Sequence, residues 1–219
     1  MENYNINEVR SCYNLVAKEY SEQFADELAD KPFDRDFLNR FKNNLDSNSK
    51  VVDMGTGSGH IAQYLYKLGL NNIIGTDIAE QILEIARINY PQLKFEIRNM
   101  FDSKYENNSI DGIVSFYGIV HFTYNEIDST IKEWKRILKP GGKAIFSFHI
   151  GDDNSLRVER FLDKENATAT WNFFQVDKVV DILEKNNIQY DEVVMRYPYI
   201  NKEHPSHRCY IQFAKNKNG

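Results

Sequence analysis

The run VVDMGTGSG at 51–59 constrains this chain more than any other stretch. A short β-branched segment leads directly into a loop with glycine at 55, 57 and 59, and the amphipathic segment HIAQYLYKLG (60–69) follows. Strand, glycine loop and helix in that order predict a βα turn. There a ligand can approach the backbone beside amide N–H groups and a helix N-terminus, although a plain tight turn would use the same residues. The spacing narrows the ligand. A G-x-G-x-x-G dinucleotide loop needs a longer final interval, and a phosphate loop needs lysine where His60 stands. Asp53, just ahead of the first glycine, suits a ligand carrying a positive amino group better than a pyrophosphate.

The same alternation continues. Segments 49–54, 71–77, 93–97, 110–118 and 143–150 read as strands, and 60–69, 78–90 and 125–139 as helices between them. Ile78, Ile82, Ile85 and Ile88 recur at helical spacing before Pro91. Strands and helices at βαβ intervals predict right-handed crossovers in a mostly parallel sheet. A helix at 177–187 and two long strands, 190–200 and 207–215, joined by a short link around Pro205, read as an edge hairpin. Residues 1–45 read as helical, a cap over the cleft, and no linker or repeat divides the chain, so 1–219 is expected to be one domain. Asp77 closes the strand NNIIGTD. From there its carboxylate can accept from both hydroxyls of a ribose, or cap the following helix.

Composition enters by exclusion. A formal charge of −5 with interspersed signs gives no basic face for nucleic acid. The start lacks a secretory pattern and no apolar run is long enough for a bilayer, so a cytoplasmic protein is expected. Cys12 and Cys209 do not suggest a disulfide scaffold.

Residues 51–59, together with Gly75-Thr76-Asp77-Ile78, Ile110-Asp111-Gly112-Ile113-Val114 and Leu138-Lys139-Pro140-Gly141-Gly142, resemble the class I S-adenosylmethionine-dependent methyltransferases over about 48–150. The opening 13–38 is similar to small bacterial methyltransferase-domain proteins. Thr56 and Ser58 stand where the family often has Cys and Thr or Pro, a departure that keeps the backbone accessible. The resemblance implies an α/β, Rossmann-like, seven-stranded sheet ordered 3-2-1-4-5-7-6, with strand 7 antiparallel and helices on both faces. It implies S-adenosyl-L-methionine as cofactor and S-adenosyl-L-homocysteine as product. Gly55, Thr56 and Gly57 would lie along the cofactor's methionine part, Asp53 near its amino group and Asp77 on the ribose. Ile78, Asn99, Met100 and Phe101 would line the adenine, and Phe116 and Tyr117 the methionine tail. Tyr13 and Tyr20, seven apart, either close over the cofactor or cement the first helix to the body.

Methyl transfer needs alignment first, and a base only if the acceptor keeps its proton. His121, past the fourth strand, is the expected base, unless it merely bonds backbone. Tyr117, His121, His149, Trp171 and Phe174 are the expected substrate wall, suited to a small, partly apolar or planar acceptor. His149 with Asp152 and Asp153 matches no ligand spacing, so no metal is expected. A small-molecule partner is expected, with monomer and homodimer both open. Two other functions stay open: a non-catalytic module binding the cofactor or its product, and a dinucleotide-dependent oxidoreductase, which the glycine spacing disfavours.

Overall fold

The structure is a computed structural model describing residues 3–216. Its main sheet contains β1 (Lys50–Met54), β2 (Asn72–Asp77), β3 (Lys94–Ile97), β4 (Ile110–Phe116), β5 (Leu138–His149), β8 (Tyr190–Arg196) and β9 (Arg208–Ala214). Their order is β3-β2-β1-β4-β5-β9-β8, with β9 antiparallel to both neighbours. Counted within the sheet, this is 3-2-1-4-5-7-6, the expected topology. Between or beside the strands run α1 (Ile6–Leu15), α2 (Ala17–Phe24), α3 (Pro32–Lys42), α4 (His60–Lys67), α5 (Glu80–Asn89), α6 (Tyr124–Ile137) and α7 (Val176–Lys185).

The strands are apolar on both faces because helices cover both. Side chains alternate across a strand, so neighbouring residues enter different cores. Val52, Ile113 and Phe146 pack with Trp134 of α6 and with Val179 and Leu183 of α7. Val51, Val114 and Ile145 pack on the other side with Phe37 of α3, Leu65 of α4 and Ile82 of α5. Local chemistry sets the helix starts. Asn5 accepts from the N–H groups of Asn7 and Glu8, and Thr123 with Glu126 forms a capping box. Pro32 opens α3, where its missing N–H costs nothing.

Several boundaries differ from the sequence reading. The strand expected over 190–200 ends at Arg196, just before Tyr197-Pro198, because proline has no ladder donor. The connection to β9 is correspondingly longer, and its residues 201–204 line the cavity described below. The helix expected to reach 139 stops at Ile137, since Leu138 already pairs with Ile110 and the Pro-Gly-Gly stretch bulges out of the ladder. Ile88 lies off the buried stripe and is 77% exposed. A two-stranded ribbon, β6 (Ser155–Val158) with β7 (Ala169–Asn172), was not anticipated. SLRV and ATWN are too short and too polar to show a period of two. Among the described residues, no helix is long and apolar enough to cross a membrane.

Candidate functional site

A cavity of about 680 Å³ opens at the carboxyl ends of β1, β2, β4 and β5. Its floor is the glycine loop. Gly55 (φ +73°) and Gly57 (φ +52°) both occupy the left-handed region. Several of the loop amides bond within the protein. Gly55 and Thr56 both donate to the Thr76 carbonyl at 2.8 and 2.9 Å, and Gly57 donates to Asp77 Oδ2 at 3.1 Å. Beside the loop, the Asp53 and Asp77 carboxylates and the Tyr13 and Tyr20 rings line the cavity.

Asp53 is buried beneath the loop and accepts from Thr56 Oγ1 at 2.5 Å. Burial raises its carboxyl to about 6, against the pull of the Thr56 hydroxyl and His60. Asp77 accepts from Gly57 N through Oδ2 and from Ala79 N through Oδ1, at 3.1 and 3.0 Å. Its carboxylate thus ties the loop to β2 and caps the approach to α5. Asp77 also lines the cavity, and a carboxylate has about four lone-pair sites to offer. Ile78, Asn99 and Met100 continue the same wall, and Met100 Cε comes within 3.2 Å of where a Gly55 Cβ would lie. Phe101 does not line the cavity. Its ring packs on Tyr4 and Phe122, because the Asn99–Asp102 bridge turns the segment back on itself.

The roof comes from the N-terminal helices. Tyr13 and Tyr20 meet edge-on at 5.5 Å and both face the cavity, so packing between helices and lining of the site are one arrangement. Tyr13 also bonds His121, its hydroxyl lying 2.9 Å from Nε2. His121 Nδ1 lies 2.7 Å from the Thr170 carbonyl, an acceptor only, so Nδ1 carries the proton and Nε2 accepts from Tyr13. The expected base therefore has its lone pair occupied, and a proton from an acceptor would reach it only through the Tyr13 hydroxyl.

Burial lowers the His121 imidazole to about 4. A depressed histidine contributes stability that is fully present above its unfolded value near 6.5 and is lost as pH falls towards 4. The contribution is about 3 kcal/mol by the usual conversion. Buried Asp53, shifted upward, acts with the opposite sign between 3.8 and about 6, so the total curve does not isolate His121. Nitrogen-detected NMR does: the ring is expected to stay neutral at pH 5.5, and a midpoint near 6.5 would show an exposed, unpaired imidazole.

The far wall carries Trp171, Phe173, His149 and Tyr117. Phe174, expected here, is fully buried in the core against Phe148 and Tyr124, and Phe173 takes its place. Trp171 lies 5.3 Å from the His121 ring. Tyr117 adopts φ +56°, a strained conformation for a tyrosine, held by bonds from its N–H to Ser147 and from its hydroxyl to Tyr210 at 2.8 Å. Its ring stacks on His149 at 5.1 Å. Phe116 lines the cavity between Phe37 and Tyr210.

Beyond Tyr117 lies a buried ionic network that no sequence pattern announced. Glu203 is gripped by both terminal nitrogens of Arg196 at 2.7 and 2.8 Å, by Lys31 at 3.3 Å and by Arg208 at 3.2 Å. Arg196 and Tyr210 also hold Asp34, at 2.9 and 2.8 Å. Lys31 bonds Glu27, whose other oxygen lies 3.1 Å from His60. These groups come from α3, the turn before it, α4, β8, β9 and the connection between those strands, so only folding assembles them. Asp152 and Asp153 stay outside the cavity lining; Asp153 instead bonds Tyr124 and Lys178. Among the described residues no group of three metal-binding side chains gathers.

Residues 51–142 match the family described as methyltransferase domain. A demethylmenaquinone methyltransferase of Chlorobaculum parvum is 30% identical over 95 residues, covering 43% of this chain and 39% of that protein. The chain therefore spans well under half of that relative. Among solved structures, a Burkholderia thailandensis 1,6-didemethyltoxoflavin-N1-methyltransferase with bound 1,6-didemethyltoxoflavin and S-adenosylhomocysteine aligns over 96% of this chain and 88% of its own. Its TM-score is 0.71 and its identity 14%. A Methanosarcina mazei S-adenosylmethionine-dependent methyltransferase aligns over 80% and 95%, with TM-score 0.70 and identity 18%. Sheet order and neighbours define a Rossmann-like methyltransferase fold. Residues 51–142 thus carry a methyltransferase domain within that fold.

Proposed function

We propose that the protein transfers a methyl group from S-adenosylmethionine to a small, planar acceptor. One observation carries this reading: a single cavity runs from the glycine loop, past Tyr13 and Tyr117, to an aromatic far wall, with room for two ligands side by side. A module that only bound the cofactor would need no second lobe. The chemistry of the donors fits the cofactor. Asp53 would face its ammonium group and Asp77 its ribose, Ile78, Asn99 and Met100 would flank the adenine, and Tyr20 would close over it. The bound cofactor supplies an electrophilic methyl on a sulfonium. The protein's own part is to exclude water with the tyrosine roof and to hold the acceptor in line between Tyr13, His121 and Trp171. Planarity is supported by this aromatic wall and by the names of two similar proteins, the demethylmenaquinone methyltransferase and the structural neighbour with bound 1,6-didemethyltoxoflavin.

Calorimetry tests the first half. S-adenosylmethionine and S-adenosylhomocysteine are expected to bind in the low micromolar range and NAD not at all; tight NAD binding without sulfonium binding ends this reading. Transfer of labelled methyl to a panel of planar acceptors tests the second half. Absence of transfer despite cofactor binding would favour the binding module.

Asp77→Ala is expected to weaken cofactor affinity tenfold or more, since each charge-assisted hydrogen bond is worth about 1.5–3 kcal/mol. The loop also loses its tie through Gly57 N, so the melting point should fall modestly. Asp77→Asn, which keeps one acceptor oxygen, separates the effects. An unchanged dissociation constant in both variants would leave Asp77 with its backbone bonds alone.

A further inference from the structure

The far lobe of the cavity has a donor surplus. Glu203 receives five contacts on two oxygens: Arg196, Lys31 and Arg208 on Oε1, and Arg196 and the Tyr199 N–H on Oε2. A carboxylate has about four lone-pair sites, so Glu203 is saturated. Asp34 is held by Arg196 and Tyr210. The donors are not used up to the same extent. Arg208 is 2% exposed, yet only its Nη1 is well bonded, to the carbonyls of His204 and Ser206. Its Nε lies 3.2 Å from Glu203 but is not aligned for a hydrogen bond, and it is buried without a hydrogen-bond partner among the described residues. A guanidinium this deeply buried with an unspent donor is costly unless something fills it. His149 stands on the same wall. Its Nδ1 faces the Ser206 hydroxyl at 2.9 Å, while its Nε2 has no partner among the described residues. Burial, then Arg208, His204 and Lys31, depress this imidazole to about 3, and only Glu203 opposes them, so the field at the ring is positive.

The surface around these donors is flat and aromatic. His149 stacks on Tyr117 and sits 5.7 Å from Phe173. We infer that the acceptor lobe is built for a planar molecule carrying an oxyanion, a carboxylate or an ionised enol or phenol, bound by the Arg208 guanidinium with its ring against His149, Tyr117 and Phe173. This rests on the reading that the cofactor fills the glycine-loop end. It adds a consequence: an acceptor that enters as an anion has no proton to lose, which agrees with a His121 whose lone pair is taken.

The test uses the full chain saturated with S-adenosylhomocysteine and matched pairs of probes: benzoate and benzamide, 4-hydroxybenzoate and its amide, indole-3-carboxylate and its amide. Calorimetry is expected to show acids binding at least tenfold more tightly than their amides. The preference should fall below threefold in Arg208→Gln. Because Arg208 touches Glu203, that variant is melted first. His149→Phe, which keeps the stacking ring and leaves the ion pairs intact, provides the second reading and is expected to weaken acids severalfold while sparing amides. Equal binding of acids and amides, no binding of any acid, or a preference unchanged in both variants overturns the inference. Failure of S-adenosylhomocysteine to bind the unaltered chain instead overturns the cofactor reading on which it stands.

Discussion

Gly57→Val is expected to reduce S-adenosylmethionine binding at least a hundredfold, a loss of about 2.7 kcal/mol or more. Two physical causes act together. Gly57 sits at φ +52°, where a β-branched residue is a genuine outlier. A Cβ there would also lie 3.1 Å from the Tyr20 ring, before either Val methyl is added. The roof and the floor of the cofactor end are therefore in contact at this residue, and the branched side chain must push one of them away. Gly57→Ala separates the causes. Left-handed geometry costs an ordinary residue roughly 1–2 kcal/mol, and the Tyr20 ring has a flexible side chain with which to yield. Alanine should thus lower the melting point slightly and binding moderately, whereas valine should remove binding. Calorimetry beside a ligand-free melt reads both. Retained binding of the valine variant with a normal melt would mean that the loop does not approach the cofactor.

Glu203→Ala is expected to be the most destabilising single change, by about 3–5 kcal/mol, because removing one partner of a buried ion pair leaves the other uncompensated. Here three cations, Arg196, Arg208 and Lys31, would lose their common carboxylate, whose side chain is only 1% exposed. At roughly 2–4 °C per kcal/mol for a chain of this size, the melting point should fall by about 6–20 °C. The pH dependence follows from the same contacts. Burial alone would raise the Glu203 carboxyl, but Arg196, the Tyr199 N–H, Lys31 and Arg208 bring it down to about 2. A depressed carboxylate stabilises above its unfolded value near 4.5, and that stability is lost as pH falls towards 2. Glu203→Ala should flatten that part of the stability curve. A destabilisation under about 1 kcal/mol in denaturant titrations would show the network to be solvated, as surface ion pairs are.

The two predictions fall on opposite sides of what a linear reading can reach. The glycine loop, Asp53, Asp77 and the alternation of strands and helices are local signals. Periods of 2 and 3.6, a residue at a strand end and a spacing of glycines are carried by neighbours in the chain, so the main sheet and the glycine-loop end of the cavity were legible before folding. Even there, orientation escaped. Trp171 and Phe173 face the cavity while Phe174 enters the core, a difference of one residue in an extended segment and so of one side of the backbone. His121 lines the cavity, but Tyr13 from α1, 108 positions away in sequence, decides that its lone pair is engaged.

The sequence by itself determined the doubly covered sheet and the glycine loop that floors the cavity, because backbone propensity and hydrophobic periodicity act over a few residues. The far lobe was decided only by tertiary structure. Its charged groups, Lys31, Asp34, Arg196, Glu203 and Arg208, are scattered over nearly the whole chain, and each alone looks like an ordinary surface residue. Burying them is favourable only when all arrive together. Coulombic attraction and hydrogen bonding then offset a desolvation cost that none could meet singly, and no property of the isolated segments records that condition.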